Sequence, residues 1–347
     1  MDEPEPLTYA QAGVDIEAGD RAVARIKAHV RSTHRPEVIE DTAGFGGLFS
    51  VDALPYESPV LVASTDGVGT KSDVARLARK YDTIGIDLVG TGDDIAAQGA
   101  DPLFFQDYIS VGVLEPEMID EIVRGVAGGC RTAGFALLGG EMSEHPGAME
   151  PGAFDLVGFA VGAADRSLLL PRDVGAGDAL VGIASPGLRC NGYTLARRAL
   201  FDRGHRRLDE PAWPGADRSL GDELLVPSVI YAPALARLRR EVEVHALAHI
   251  TGGGLSGNVA RVLPDGCEAR IRRGSWEEPR IFREVQAAGE IADAEMERVF
   301  NLGIGMVAVV PASAISEAIE SLARSRHAAW HIGEIARGAG RVTLTRD

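Results

Sequence analysis

The sequence predicts two domains that each combine α-helices with β-strands. The chain has 347 residues, which is more than one hydrophobic core usually organises. The first half alternates β-branched segments with segments of helical periodicity. The alternation restarts after a stretch with proline and glycine at residues 165–177. We therefore divide the chain into a domain of residues 1–168 and a domain of residues 169–347.

The composition excludes several classes of protein. A formal net charge of −16 argues against a nucleic-acid partner, because such proteins need basic surface to neutralise phosphates. The three cysteines are widely spaced and form no CxxC motif, which favours a reducing compartment over a disulfide framework. The N-terminus lacks an apolar signal segment, and no apolar run reaches the length of a membrane span. We expect a cytoplasmic protein without membrane association.

The elements of the first domain follow from local periodicity. Apolar residues with helical spacing after an N-cap at Asp20 predict a helix that ends before Pro36. A glycine-rich turn comes next, and the β-branched run 58–65 predicts a buried strand. A helix covers about 71–80. The remaining first-half elements are a strand in 102–114, a helix in 116–134, a strand in 135–147 ending in a Gly-Gly-Glu turn, and a strand in 154–165.

The second half repeats this mixture of elements. A strand over 178–185 leads into a turn and a helix over 186–202. A strand, a triple-glycine turn and a helix follow over 245–264. The C-terminal part predicts a strand in 299–311, a helix in 312–325 and a strand in 328–335.

A polar stripe stands out between the two predicted elements at 71–80 and 102–114. If residues 82–102 form one helix, the spacing places Asp87, Thr91, Asp94 and Gln98 on one face. The rest of the segment is mostly apolar, which indicates an interior helix. Carboxylates there are unfavourable unless they are paired or bound to a metal. The alternative is that Asp94 belongs to a solvated helix surface.

The segment VASTDGVGTKSD, residues 62–73, resembles a nucleotide-binding loop without matching the P-loop pattern. Asp66 precedes its first glycine, and Lys71 follows rather than precedes the threonine. A flexible turn before a helix can present backbone N–H groups to a phosphate. The alternative is a plain connection between strand and helix, in which Asp66 accepts a local hydrogen bond.

Three acidic residues lie beside the predicted strand ends, namely Asp66, Asp94 and Glu141. Without accompanying pairs of cysteine or histidine, such a set favours oxygen coordination of Mg²⁺ over zinc. The triple glycine of Thr251–Gly254 precedes a helix and is a candidate anion cradle, unless it is only a tight turn. Together these features indicate chemistry on ATP.

Taken in order, the motifs resemble those of the phosphoribosylformylglycinamidine cyclo-ligase family over nearly the whole chain. The segments are YAQAGVDIEAGD, RPEV, STDGVGTK, DTIGIDLV, QGADPLFFQDYI, LLGGE, NGY, HITGGG, RVLP and FNLGIGM. The resemblance implies an α/β domain followed by an α+β domain with a mixed sheet. It also implies a homodimer in which N-terminal strands of two subunits form one barrel.

The resemblance further implies ATP-dependent closure of the imidazole ring of formylglycinamidine ribonucleotide, giving aminoimidazole ribonucleotide in purine biosynthesis. ATP and Mg²⁺ are the implied cofactors, and K⁺ is a further candidate. The implied catalytic residues are Asp94, Lys71 and Arg189, and the implied metal ligands are Asp66, Asp94 and Glu141. The implied nucleotide-binding residues are Lys27, Gly44, Gly46, Asp66, Gly67, Gly69, Thr70 and Asn191, and the implied substrate-phosphate residues are Thr251, Gly252, Gly253 and Gly254.

This chain departs from the family pattern close to the implied site. Arg189 and Cys190 stand where the family often has histidine and serine, and arginine is a phosphate clamp rather than a proton shuttle. Asp93 stands where the family usually has asparagine, and it either alters metal occupancy or is a surface substitution. Segment 139–147 also differs, with GGEMSEHPG in place of GGETAEMPG.

Two other functions remain open at this stage. One is an amide-activating enzyme of a specialised pathway on the same scaffold, which also serves selenophosphate synthetase and thiamine-phosphate kinase. The other is a catalytically silent nucleotide-binding paralogue. The presence of Asp66, Asp94 and Glu141 argues against the silent paralogue.

Overall fold

Two β-sheets, joined by the segment between Asp165 and Asp178, organise the chain. The structure is a computed structural model that describes residues 7–39 and 46–345. The strands are β1 Val38–Ile39, β2 Leu48–Phe49, β3 Pro59–Gly67, β4 Asp101–Val111, β5 Ala136–Glu144, β6 Phe154–Asp165, β7 Asp178–Ala184, β8 Ala246–His249, β9 Cys267–Arg272, β10 Ile304–Pro311, β11 Ala329–Arg337 and β12 Val342–Thr345. The helices are α1 Ile16–Arg31, α2 Lys71–Ala78, α3 Ile84–Thr91, α4 Asp93–Ala97, α5 Pro116–Ala133, α6 Tyr193–Arg197, α7 Leu220–Leu224, α8 Ala232–Glu241, α9 Gly254–Val259, α10 Arg280–Gly289, α11 Asp293–Val299 and α12 Ile315–Arg324.

The first sheet has the strand order β3-β6-β4-β5, and only β4 and β5 run parallel. Helices cover its inner face, where Phe105 and Leu156 are fully buried. Its outer face leaves large apolar side chains in solvent, with Leu61 63% and Phe159 38% exposed. Within the described residues of one chain this sheet does not close, so the predicted barrel is not formed by a single subunit.

Two predictions about the first domain need correction. Strand β3 is not buried as expected: it lies at the sheet edge and alternates between exposed and half-buried residues. Helix α1 begins one turn earlier than predicted, because Asp15 rather than Asp20 is its N-cap and accepts a hydrogen bond from the N–H of Ala18 at 3.0 Å. A carboxylate at this position stabilises a helix start, since it binds a backbone donor that the helix leaves free.

The prediction of one helix over 82–102 is wrong, because the segment is interrupted. Helix α3 ends at Thr91, α4 begins at Asp93, and strand β4 already starts at Asp101. A Cβ atom at the intervening Gly92 would lie 3.1 Å from the Phe135 ring, so the chain turns where only glycine fits without displacement. The polar stripe is therefore divided between two short helices that face different surroundings.

The second sheet has the order β12-β9-β11-β7-β10-β8 and is mixed, as predicted. Its strands pair antiparallel except β9 with β12. Helices α8 and α12 pack with one face of the sheet, and α9 packs with the other. Edge strand β8 contacts helix α4, so the two halves of the chain meet there. Among the described helices, none has the length and apolar character to cross a membrane.

Candidate active site between the two sheets

A cavity of about 290 Å³ lies where helix α4 meets strand β8. It collects residues from both halves of the chain, since β3 and α4 contribute one wall and β8 with the following turn contributes the other. The polar residues that line it are Ser64, Asp94, Gln98, His249, Thr251, Asn258 and Arg261. The structure thus brings Asp94 and Thr251, the first residue of the triple-glycine turn, to one cavity.

Asp94 is the acidic group at the centre of this cavity. Its Oδ1 lies 2.8 Å from His249 Nδ1, and its Oδ2 accepts a hydrogen bond from Ser64 Oγ at 3.1 Å. Burial by itself would raise the pKa of Asp94, but the bonds from His249 and Ser64 and the charge of Arg261 lower it below its usual value. The carboxylate is therefore ionised at neutral pH and able to bind a cation.

Asp66 lies close enough to Asp94 for the two charges to interact. Burial raises the pKa of Asp66, and the neighbouring charge of Asp94 raises it further, although the N–H of Gly67 donates to it at 2.8 Å. A divalent cation would relieve this repulsion, and Mg²⁺ commonly binds one or two carboxylates together with nucleotide phosphates. Asp66 and Asp94 are thus the two carboxylates here whose charges a divalent cation would offset.

Glu141 was expected to join this pair, but in the structure it lies elsewhere. It lines a second cavity of about 200 Å³ together with Asp107 and apolar residues of α1 and α5. Over the described ranges there is no group of three or more His, Cys, Asp and Glu side chains arranged for a metal. The predicted three-carboxylate site is thus not preformed, because Glu141 projects from strand β5 while Asp94 projects from helix α4.

Lys71 is buried inside the protein rather than exposed at a phosphate site. Its Nζ is 2.5 Å from Asp87 Oδ2 and donates to the carbonyl oxygen of Val226 at 2.8 Å. Both charged side chains are 0% exposed, and Ser228 donates twice to the other oxygen of Asp87. In this conformation the ion pair ties α2 and α3 to the second half of the chain.

The other implied nucleotide-binding residues are spread over several segments. The hydroxyl oxygens of Thr70 and Thr194 are 3.0 Å apart. Gly69 directly precedes Thr70, and Gly67 is the last residue of β3. Asn191 is half-buried at the start of the turn before α6. Lys27 is exposed on α1, and Gly46 is exposed before β2. Gly44 lies outside the described residues.

The triple-glycine turn has a geometry that requires glycine. Gly253 and Gly254 have φ of +99° and +62°, and a Cβ at Gly254 would lie 2.1 Å from the carbonyl oxygen of Glu297. The side-chain amide of Asn258 donates to the carbonyl oxygens of Thr251, Gly252 and Gly254, at 3.3, 3.3 and 2.8 Å. These bonds turn the carbonyl groups towards Asn258 and fix the loop.

Three residues of the site were not predicted from the sequence. His249 is the first residue of the HITGGG segment, and Asn258 lies seven residues after Thr251, within helical reach of the turn it fixes. Arg261 follows Asn258 by three residues and brings an exposed cation to the cavity. The sequence did contain a signal for two of these residues, because Asn258 and Arg261 follow the glycine turn at helical spacing.

Asp93 is not the surface substitution that was one of the two alternatives for it. Its side chain is 1% exposed, and its oxygens accept hydrogen bonds from the N–H groups of Tyr231 and Ala232 at 2.8–3.0 Å. These groups are at the start of α8, where a carboxylate is favoured by the unbonded N–H groups and the helix dipole. The residue is therefore a buried helix cap rather than a surface substitution, and its Oδ2 also lies 4.0 Å from Arg189 Nη2.

Arg189 is also buried and is not among the residues that line the cavity. Its guanidinium donates to the carbonyl oxygen of Val229 at 3.0 Å and lies over the Tyr231 ring, with Cζ 5.0 Å from the centroid. It also contacts His249 Nε2 at 2.9 Å. Arg189 thus reaches the site through His249.

The two sheets and the cavity between them define the class of AIR synthase related proteins. The profile of the N-terminal domain of that class matches residues 51–164, and the profile of the C-terminal domain matches residues 175–345. Within this class, a phosphoribosylformylglycinamidine cyclo-ligase from Geobacter metallireducens is 49% identical over 333 residues, covering 95% of each chain. Relatives of the same name from Desulfatibacillum aliphaticivorans and Geobacillus kaustophilus are each 50% identical to this chain. The first alignment covers 95% of both chains and the second covers 96% of both. The chain belongs to the phosphoribosylformylglycinamidine cyclo-ligase family.

Solved structures of more distant proteins share the fold. Thiamine-monophosphate kinase from Stenotrophomonas maltophilia superposes with a TM-score of 0.67 at 20% identity, covering 94% of this chain and 96% of the kinase. The hydrogenase maturation protein HypE in complex with ATP superposes with a TM-score of 0.62 at 18% identity, covering 94% and 90%. At these identities the likeness extends to the fold alone.

Proposed function

We propose that the cavity between the sheets is where this chain carries out the activity of its family, the ATP-dependent ring closure to aminoimidazole ribonucleotide. The observation that carries this assignment is the position of Asp94. Its ionised carboxylate lines a cavity built from both halves of the chain, together with Thr251 and Arg261. The charge of Asp66 lies close enough to interact with it.

The chemistry requires the formamide oxygen of the substrate to become a leaving group. Transfer of the γ-phosphoryl group of ATP to that oxygen makes it one, and the amidine nitrogen then attacks the activated carbon within the same molecule. Holding the two reacting groups together supplies several kcal/mol, of the order known for intramolecular reactions. Phosphate leaves as the ring closes.

Asp66 and Asp94 would hold the Mg²⁺ that accompanies ATP, and this ion would neutralise charge on the transferred phosphoryl group. Arg261 and the turn Thr251–Gly254 would bind the ribose phosphate of the substrate, since Arg261 and Thr251 line the same cavity. Lys27, Gly46, Gly69, Thr70 and Asn191 stay proposed nucleotide contacts. For Lys71, whose ammonium is paired with Asp87 in the interior, a structural role replaces the phosphate contact in this proposal.

The proposed homodimer would cover the outer face of the first sheet, where Leu61 and Phe159 are exposed. Pairing two such sheets would form the barrel that a single chain leaves open. A cytoplasmic location and a requirement for K⁺ also remain proposals, and activity compared in matched K⁺ and Na⁺ buffers tests the second.

The experiment follows ADP and aminoimidazole ribonucleotide together, with formylglycinamidine ribonucleotide and Mg-ATP as substrates. We expect equal amounts of both products from the wild-type protein. Asp94→Asn should lower kcat by about 100-fold or more, because one removed electrostatic contact to a transition state has this effect. The exposed Asp217→Asn serves as the matched control. ATP binding by the wild-type protein without either product would instead identify the silent paralogue.

A further inference from the structure

Four side chains form a continuous line from the interior to the cavity. Arg189 Nη2 is 4.0 Å from Asp93 Oδ2 on one side and 2.9 Å from His249 Nε2 on the other. His249 Nδ1 is 2.8 Å from Asp94 Oδ1. The side chain of Asp94 is 43% exposed and that of His249 is 4% exposed, so only the last member of the line reaches solvent.

The order of donors and acceptors in this line is determined by Arg189. A guanidinium has N–H donors and no acceptor. His249 Nε2 must therefore accept from Arg189, which requires an unprotonated Nε2. The proton of the neutral ring is then on Nδ1, where it donates to the Asp94 carboxylate. In the other neutral tautomer, the proton on Nε2 would face the N–H of Arg189 and the unprotonated Nδ1 would face the carboxylate, so both hydrogen bonds would be lost.

Arg189 itself has little freedom to move away. Its backbone has φ of +63°, and its guanidinium is also 3.4 Å from the carbonyl oxygen of Gly90. Asp93 supplies the opposite charge that a buried cation needs, while the start of α8 holds Asp93 in place. Both charges are nearly inaccessible to water, at 5% and 1% exposure.

We propose that Arg189 is a positioning residue, which keeps His249 in the tautomer with its proton on Nδ1 and thereby aims the Asp94 carboxylate into the cavity. Asp93 is the counter-ion that makes this arrangement stable. The catalytic consequence rests on the proposed function of Asp94, whereas the tautomer of His249 does not. A hydrogen-bonded neighbour of this kind commonly changes metal affinity or activity by about 10-fold to 100-fold.

The primary test is ¹⁵N NMR of the full chain with labelled histidine, which distinguishes a nitrogen with a proton from one without. The protein has eight histidines, and the His249→Gln spectrum assigns the ring in question. We expect Nε2 of His249 to be unprotonated and Nδ1 to be protonated. A wild-type spectrum with the proton on Nε2, or with both nitrogens protonated, overturns the proposal.

Variants at position 189 test the cause. Arg189→Met keeps an apolar chain of similar reach but removes the donors, so we expect a mixture of His249 tautomers and a 10-fold to 100-fold fall in kcat with a smaller change in KM. Arg189→Lys restores one donor and should restore the Nδ1–H tautomer and part of kcat. An unchanged tautomer in a folded Arg189→Met protein contradicts the proposal. If that variant does not fold, the Arg189→Lys protein is the test instead, and loss of the Nδ1–H tautomer there contradicts the proposed role of the donor.

The two levels of the assignment can fail separately. If the wild-type protein shows the expected tautomer but no turnover of formylglycinamidine ribonucleotide, the positioning role stands and the proposed function fails. If turnover occurs and the proton is on Nε2, the function stands and the positioning role fails.

Discussion

Asp107 shows how strongly burial alone can change a single residue. It lies on the inner face of the first sheet beside the cavity below α1. Its Oδ2 has no hydrogen-bond partner among the described residues, and burial raises the pKa of Asp107 from about 3.8 to about 7. A Cβ at Gly140 would lie 1.8 Å from its other oxygen, so glycine is required on the adjacent strand.

This raised pKa predicts a pH dependence of stability. Between pH 4 and pH 7 the native protein keeps a proton on Asp107 that the unfolded chain has released, so the free energy of unfolding falls as pH rises through this window. Asp107→Asn cannot ionise and should remove this loss, by up to about 4 kcal/mol from a shift of roughly three pKa units. Denaturant unfolding at pH 5 and pH 8 spans roughly two of these three pKa units, so the difference that it measures should be about 2.7 kcal/mol.

Asp217→Asn is the control for this measurement, because Asp217 is exposed. It should keep the wild-type difference between pH 5 and pH 8. If Asp107→Asn kept that difference too, another group would be responsible for the pH dependence.

At the scale of elements, the crossing of α3 and α5 decides how the inner face of the first sheet is covered. A Cβ at Gly85 would lie 2.3 Å from the carbonyl oxygen of Ile122 and 2.4 Å from the N–H nitrogen of Val126. Gly125 on the facing helix is equally restricted, with the carbonyl oxygen of Asp82 at 2.7 Å. The backbones of the two helices therefore approach through glycine.

Gly85→Ala should separate these helices and destabilise the protein by about 1–3 kcal/mol or more, since an added methyl group meets backbone and not a movable side chain. The matched control is Gly128→Ala on α5, where the nearest atom to a new Cβ is the end of the Arg131 side chain at 3.8 Å. That change should be neutral or stabilising by about 0.5–1 kcal/mol. Chemical denaturation compares them, and equal effects would refute close helix contact as the cause.

At the scale of the whole molecule, the outer face of the first sheet is the surface that a single chain leaves uncovered. An exposed apolar sheet face is unfavourable in water and typically marks an interface. Leu61 on β3 and Phe159 on β6 belong to this face. Its covering by a second subunit would place two cavities in one assembly.

Leu61→Glu combined with Phe159→Glu should convert the dimer to monomers, because four buried carboxylates would need desolvation in the interface. Leu77→Glu on α2 is the control, since Leu77 is 52% exposed but lies on a helix away from the face. Sedimentation velocity reports the mass. A wild-type monomer, or a dimer that persists in the double variant, would rule out this surface as the interface.

Local sequence patterns were sufficient for most elements and for part of the site. The β-branched runs predicted all four strands of the first sheet and four of the six strands of the second, without β9 and β12. The glycines of Thr251–Gly254 predicted either an anion cradle or a tight turn, and the tight turn is present. Asp94 was recognised because a carboxylate in an apolar segment needs a partner. Each inference depends on residues within a few positions of one another.

The partners of the buried charges were decided only by the tertiary structure. His249 and Asp94 are 155 positions apart, and Arg189 and His249 are 60 apart. Lys71 looked like a phosphate ligand in its loop but is paired with Asp87 in the interior. Periodicity places a side chain on a face, whereas the partner of a buried charge depends on which element packs against that face. The sequence by itself thus determined the family, the acidic character and the kinds of element, and the packing of α4 against β8 decided which residues form the site.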